Sequence, residues 1–399
     1  MMTAGKSSTM EHATAHPKPA KPARILFLVC SVTDHDEKFV RSLSAGGHET
    51  RIFSFHRRRV DAQLASLPHI SVDAIPLRVL PSVQRFLPFH FLPRLKACIR
   101  EFRPDIIHSG NTWNESFLGA LSGFHPLLVM PYGSDVLMDT RRNFWFRFAN
   151  TRVFKAADWV TCDAEHVKRK LIADFQYPSD RITVIPWGID VEAIAGEKAR
   201  SRDRVRSELG WQNDFVVIMT RNHEPVYGVD VFLKAMESVV RENRTVRALM
   251  IGGGTLTDRF RSFVHERGLE ENIRFTGKIP YASLLRHLQA ADLYVSSSHS
   301  DGTSVSLLEA MASGLSAVLT DVPSNLEWIR NGTNGEIVPR GDHGALAQRV
   351  LALAADPARN AAYGAKNLAI VRERGDWKKN FAAMEGIYHT LMKGGRSVG

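Results

Sequence analysis

The stretch ADLYVSSSHSDGTSVSLLEAMASGLSAVLTDV, residues 291–322, joins two short apolar runs through a polar turn and a helix-forming segment. Apolar runs of this length, bounded by small polar residues, read as strands buried on both faces of a parallel sheet. The segment between them is the crossover that parallel pairing requires. The turn sets Asp301 ahead of Gly302, Thr303, Ser304 and Val305, and a second carboxylate, Glu309, follows eight positions after the first.

Outward from this unit the same pattern repeats. DFVVIMTR, VRALMIGGG and NIRFTGK precede it as further strand candidates with helical segments between them. Upstream lies a first array, ARILFLVC, ETRIFSF, PDIIHS, HPLLVMPYG, DWVTCD and RITVIPWG, each closed by a polar or glycine turn. Within that array LKACIREF sets Leu95, Cys98, Ile99 and Phe102 on one helical face. A charged stretch, residues 192–210, separates the arrays. Two successive βα arrays predict an α/β protein of two doubly wound, Rossmann-like domains facing across a cleft, with ligands at the carboxyl ends of the strands. The expected boundaries are a disordered extension over 1–23, a first domain over 24–190, a linker over 191–211, a second domain over 212–375 and a last helical segment over 376–399.

Composition narrows the class. A chain of 399 residues with 44% hydrophobic and 24% charged content has ample core for two domains. Cys30, Cys98 and Cys162 are scattered and odd in number, which suits a reducing compartment and excludes a disulfide framework or zinc ribbon. No apolar run is long enough to span a bilayer, and the first 23 residues lack a signal-peptide core. The expected location is cytoplasmic, either free or peripheral on the inner face of the membrane. The net charge of +10 is concentrated: residues 78–103 carry six Arg/Lys against Glu101, and residues 141–155 carry five with no acid. Both segments include aromatics, among them Phe89, Phe91, Phe144, Trp145, Phe146 and Phe148. Basic surface with aromatics suits an anionic membrane or acidic glycan, and equally a solvated face over an ordinary core. No helix-turn-helix, RNP or zinc-finger signature supports a nucleic-acid partner.

On the residues alone, Asp301 to Glu309 is also readable as a capped helix with an acid at its start. A resemblance favours the other reading. Arg221, IGGG at residues 251–254, RFTGK, LLRHLQAADLYVSSS and DGTSVSLLEAMASG are similar in order and spacing to glycosyltransferase family 4, retaining sugar transferases of the GT-B fold. The likeness is strong over residues 214–339 and looser over 24–190, where AGGHET, PDIIH, YGSDV and IPWGID resemble the family's motifs.

The resemblance implies a nucleotide diphosphate sugar donor bound by the second domain, an acceptor-side first domain, and a last helix crossing back to it. Asp301 stands where the family's first Glu faces the hexose hydroxyls, and Glu309 where the second accepts hydrogen bonds from the ribose. A carboxylate can accept both hydroxyl hydrogens in charge-assisted bonds. The turn from Gly302 through Thr303 and Ser304 to Val305 is expected to leave N–H groups free for the pyrophosphate at a helix N-terminus. Arg221 is the expected diphosphate cation and, with Asp301, the catalytic pair. Gly253 lies in the tight turn near the phosphates, and Lys278 and Ile279 are candidates for the base through backbone groups. His108, Tyr132 and Asp135 are the acceptor-side candidates. Two departures stand out. The first acid is Asp, one methylene shorter than the usual Glu. Tyr227 fills the position of the usual Lys before Gly228, and a phenol carries no charge at neutral pH.

The resemblance further implies front-face substitution through an oxocarbenium-like transition state, the leaving phosphate taking the acceptor's proton. The acceptor is expected to be a glycan or lipid-linked sugar in cell-surface polysaccharide or glycolipid synthesis. No cofactor or metal is expected. Asp34-His35-Asp36 matches an Asp-x-Asp metal motif but sits in the loop expected after the first strand, away from any donor element. Gly252-Gly253-Gly254 is not a dinucleotide fingerprint, because Thr257 fills the last glycine place. The rival classes are a nucleotide-sugar-binding protein without transferase activity, an epimerase of the same fold, and a nucleic-acid binder.

Overall fold

The computed structural model describes residues 22–30, 32, 34–54, 62–74, 87–137, 144–196 and 198–394. The expected N-terminal extension therefore lies almost wholly outside the described residues. Thirteen strands are present among them. The first sheet contains β1 (Arg24–Val29), β2 (Glu49–Ser54), β3 (Ile70–Ala74), β4 (Ile106–Ser109), β5 (Leu127–Val129), β6 (Trp159–Cys162) and β7 (Ile182–Val184), in the order β3-β2-β1-β4-β5-β6-β7. The second contains β8 (Phe215–Met219), β9 (Val246–Ile251), β10 (Ile273–Gly277), β11 (Leu293–Ser296), β12 (Ser316–Thr320) and β13 (Glu336–Val338), in the order β10-β9-β8-β11-β12-β13. Every pairing in the second sheet is parallel, as are β1–β2, β1–β4, β2–β3 and β6–β7 in the first. These are two Rossmann-like sheets, the fold class the sequence pattern predicts.

Burial on both faces explains why the central strands read as unbroken apolar runs. Along β8, Val217 and Met219 enter one core with Phe232, Met236 and Val240, while Val216 and Ile218 enter the other with Leu308, Met311 and Leu315. Successive side chains point to opposite faces, so both parities must be apolar. The helix Leu87–Phe102 buries Leu95, Cys98 and Phe102, with Ile99 half-buried beside them.

The described residues divide into two compact units. One comprises those of Met1–Gly110, Asn114–Leu128 and Glu385–Gly399, the other Asn111–Trp113 and Val129–Met384. In the first, Glu385 and Tyr388 belong to the last helix, Trp377–Gly394, and lie against His48 and His108. The charged stretch expected as a linker forms two helices, Val191–Gly196 and Lys198–Leu209. Arg206 on the second is buried against Asp292, whose carboxylate also pairs with Arg202 and accepts the Val216 N–H, so its polar sequence conceals an anchoring ion cluster.

Asp34 and His35 open the helix Asp34–Ala45, with Asp36 in its first turn and fully buried, so this segment is helical where a loop was expected. Acids are favourable in a first helical turn, which accounts for the difference.

Candidate functional site

The order of the second sheet reverses between β8 and β11, and the residues after those two strands face one another at their carboxyl ends. Such switch points are where doubly wound sheets leave room for a ligand. Arg221 follows β8 and Asp301 follows β11. Asp301 Oδ2 accepts from Arg221 Nη2 at 2.5 Å. Arg221 Nη1 donates to Ser304 Oγ at 2.7 Å and to Ser306 Oγ at 2.9 Å, while its buried Nε has no partner within the protein. The guanidinium carbon sits 4.2 Å from the centre of the Tyr227 ring. Tyr227 thus stacks on the arginine where the resemblance led to a second cation, contributing a cation–π contact.

Ser304 caps the helix Val305–Ala312, its side chain accepting the Leu307 N–H. The helix therefore begins at the expected turn, with Arg221 held over its first residues. Glu309 lies on the same helix, buried, and its carboxylate hydrogen-bonds the hydroxyl of Tyr281 at the start of the helix Tyr281–Ala290. Burial raises the pKa of Asp301, against the pull of Arg221.

The turn amides are less available than the sequence suggested. Thr303 N–H donates to Asp163 Oδ2 at 2.8 Å, and Thr303 Oγ1 donates to the Asp163 carbonyl at 2.5 Å. The Gly302 N–H lies against the Asp301 carboxylate. Two of the four amides expected to cradle a pyrophosphate are thus engaged within the protein, because buried carboxylates compete for them.

The turn after β9 packs on the segment that carries Arg221. A side chain at Gly252 would meet the Arg221 carbonyl at 2.4 Å, and one at Gly254 would meet Glu224 Oε1 at 2.5 Å. The glycines are therefore needed for close backbone approach. Gly253 lies near Lys278, whose Cγ is 3.8 Å from the position a Cβ would take. Lys278 is exposed just after β10, and Ile279 packs against the core.

The acceptor-side candidates separate. Tyr132 is half-buried with its ring 6.1 Å from that of Trp187. Asp135 is fully buried in the short helix Ser134–Leu137 and accepts the Thr112 N–H at 2.9 Å. His108 on β4 is fully buried, edge-on to Phe27 and Phe39, with Nδ1 2.8 Å from the Tyr388 hydroxyl. Burial pushes its pKa down to about 3, so the ring is a neutral core histidine and presents no face to an acceptor.

The residues missed from sequence are Asp163, Tyr281 and Ser306. Asp163 had a faint signal, an acid ending an apolar strand at its carboxyl end. Among the described residues no group of His, Cys, Asp and Glu is placed to hold a metal ion.

Comparison with known proteins finds likenesses among glycosyltransferases. Residues 201–368 match the family model for glycosyl transferases group 1, and residues 37–193 match that for glycosyltransferase family 4. A phosphatidyl-myo-inositol mannosyltransferase of Mycobacterium leprae is 31% identical over 46% of this chain and 48% of its own, so the chain spans about half the length of that relative. A GDP-mannose-dependent alpha-(1-6)-phosphatidylinositol monomannoside mannosyltransferase of Mycolicibacterium smegmatis is 25% identical over 73% of this chain and 78% of its own. The crystal structure of HepE from Anabaena in complex with UDP-glucose superposes with a TM-score of 0.77 at 19% identity, covering 92% of this chain and 100% of that one.

Proposed function

We propose that this chain, a GT-B glycosyltransferase related to the group 1 and family 4 models, moves a hexose from a nucleotide diphosphate sugar to a glycan or lipid-linked acceptor with retention of configuration and without a metal. The observation that carries the proposal is the placement of Arg221 and Asp301 at the sheet's switch point, ion-paired over the N-terminus of the helix that bears Glu309.

The chemistry breaks the bond between the anomeric carbon and the leaving phosphate oxygen, and forms one to the acceptor hydroxyl oxygen. Negative charge accumulates on the departing diphosphate. Arg221 and the N-terminal amides of the helix Val305–Ala312 are placed to stabilise it, since preorganised charge in a water-poor site is worth more than in bulk solvent. The unpartnered Arg221 Nε is a donor that a phosphate oxygen would satisfy. The proton from the acceptor passes to the leaving phosphate. Asp301 orients the hexose or the arginine, and Glu309 accepts from the ribose hydroxyls in exchange for Tyr281.

Two relatives are named for mannosyl transfer to phosphatidylinositol-based acceptors, and HepE was captured with UDP-glucose. GDP-mannose and UDP-glucose are accordingly the first donors to test. The names of the two mannosyltransferases support an acceptor in glycolipid or cell-surface polysaccharide synthesis, and the location proposed with it is cytoplasmic, peripheral to an anionic membrane.

A second reading, donor binding without transfer, is favoured by one feature: Tyr227 rather than a second cation lies on Arg221. Thermal stabilisation by a panel of nucleotide sugars tests the shared donor claim, because a ligand at about a hundred times its Kd stabilises by about 2.7 kcal/mol. Release of nucleoside diphosphate with and without acceptor then separates the readings. A chain that no nucleotide sugar stabilises would refute both.

A further inference from the structure

Asp163 stands outside the machinery so far described, at the end of β6, yet it is fully buried against the donor turn. Its Oδ2 accepts the Thr303 N–H, and its carbonyl accepts the Thr303 hydroxyl. Gly302 is bare where a Cβ would come within 2.3 Å of Asp163 Oδ2. Across from it Gly133 lies at φ +87, where a Cβ would sit 3.6 Å from the Gly302 Cα. The Asp163 Oδ1 is buried without a partner. A buried carboxylate with one oxygen unpartnered, on a residue that clasps the turn once through that carboxylate and once through its own carbonyl, requires a structural return from the turn.

We propose that Asp163 is the positioning residue of the donor turn: by holding Gly302 and Thr303 it keeps Asp301 and Ser304 in register with Arg221. Asp301 immediately precedes the clasped pair and Ser304 immediately follows it, and both are partners of Arg221. Release of the clasp therefore loosens both ends of the arginine's hydrogen-bonding set. This goes beyond the proposed activity and rests on it only for the consequence to donor binding.

The clasp is sensitive to pH. Burial is the chief cause that pushes Asp163 up to about 7, with the Thr303 bond opposing and Asp301 and Asp135 adding to it. The titratable groups acting on Asp163 are Asp301 on the donor turn and Asp135 on the segment after β5, with Cys162 preceding it in the chain. Ionisation strengthens the bond from the Thr303 N–H, but burying the charge costs more than that bond returns, so loss of the proton eases opening of the clasp.

Hydrogen exchange over residues 301–306 of the full chain tests the clasp directly. Asp163→Ala is expected to speed exchange there about tenfold or more, the lower end for a lost hydrogen bond to a charged group, while the helix Val229–Glu242 keeps its protection. In the wild type, protection corrected for intrinsic rates should fall between about pH 4 and about pH 7, because the clasped state holds the Asp163 proton more tightly than the open one, and Asp163→Asn should abolish that fall. Binding of UDP and GDP, measured by calorimetry, should weaken in Asp163→Ala by a similar factor. Should that variant fail to fold, Gly302→Ala presses a methyl group on the same oxygen and should give the same local exchange. Exchange within about twofold of wild type in the Ala variants, at the scale of measurement error in such protection, would overturn the proposal. Altered exchange in a chain that binds neither nucleotide would leave the clasp standing and refute the donor reading. Unaltered exchange with intact nucleotide binding would do the reverse.

Discussion

Arg221 is the residue on which the site turns. It is buried, ion-paired and hydrogen-bonded to two serines, and Tyr227 closes one face of its guanidinium. A fork held on several sides loses little entropy when it meets a phosphate. The short side chain of Asp301 reaches back to this fork, so the departure from Glu and the departure from Lys are linked: both end at one arginine. Glu309 is the second fixed point. Glu309→Gln should weaken nucleotide sugar binding by about 1.5–3 kcal/mol, the range for a hydrogen bond to a charged group, with the fold intact. Calorimetry with GDP-mannose and UDP-glucose measures it, and unchanged affinity would remove Glu309 from the ribose role. Asp301 and Glu309 were legible because they lie with their helix in one stretch of chain, and Arg221, 80 positions from Asp301, through the family resemblance. Asp163 was not, since it meets Thr303 across 140 positions of sequence and only packing brings them together.

At the scale of elements, the strands that were read from sequence are those with unbroken apolar runs. The two that went unread, β3 (ISVDA) and β13 (EIV), are short edge strands. Each is five residues or fewer and includes an acid, Asp73 or Glu336, which leaves too little of an apolar run to read. The turn between β11 and its helix carries a measurable pH signature. The folded pKa of Asp163 is about 7, above the ordinary carboxylate value it regains on unfolding. Between about pH 4 and that value the folded state holds more protons than the unfolded state, so stability falls as pH rises through this window and levels off above it. Denaturant titrations across that range should show the decline in the wild type, with a shallower slope in Asp163→Asn. Equal slopes would show that Asp163 titrates as an ordinary carboxylate.

For the whole molecule, the two Rossmann-like sheets were legible because parallel strands and crossover helices alternate with a strong period. The basic segments were legible only as charge. Arg94 proves to be paired with Asp73 at 2.6 Å, so part of the first segment's excess is spent within the protein. The second segment offers more: the helix Phe144–Ala156 bears Arg147, Arg152 and Lys155 with no acid, and Phe144 is 82% exposed. No helix among the described residues is long and apolar enough to cross a membrane. Docking on an anionic surface would draw about 1 kcal/mol from each basic residue near it. Sedimentation with anionic vesicles should therefore carry the protein down at low salt, and less so for a variant combining Phe144→Ser, Arg147→Gln and Lys155→Gln. Equal indifference to anionic and neutral vesicles would take the membrane out of the account.

The central claim is that Arg221 drives departure of a nucleoside diphosphate from a sugar donor at the switch point of the second sheet. Its most direct test is acceptor-dependent release of nucleoside diphosphate, compared between wild type and Arg221→Ala after both are shown to be folded. The account predicts release by the wild type and a loss of about tenfold or more in the variant, which corresponds to at least about 1.4 kcal/mol of transition-state stabilisation. Release by the variant at close to the wild-type rate would contradict it.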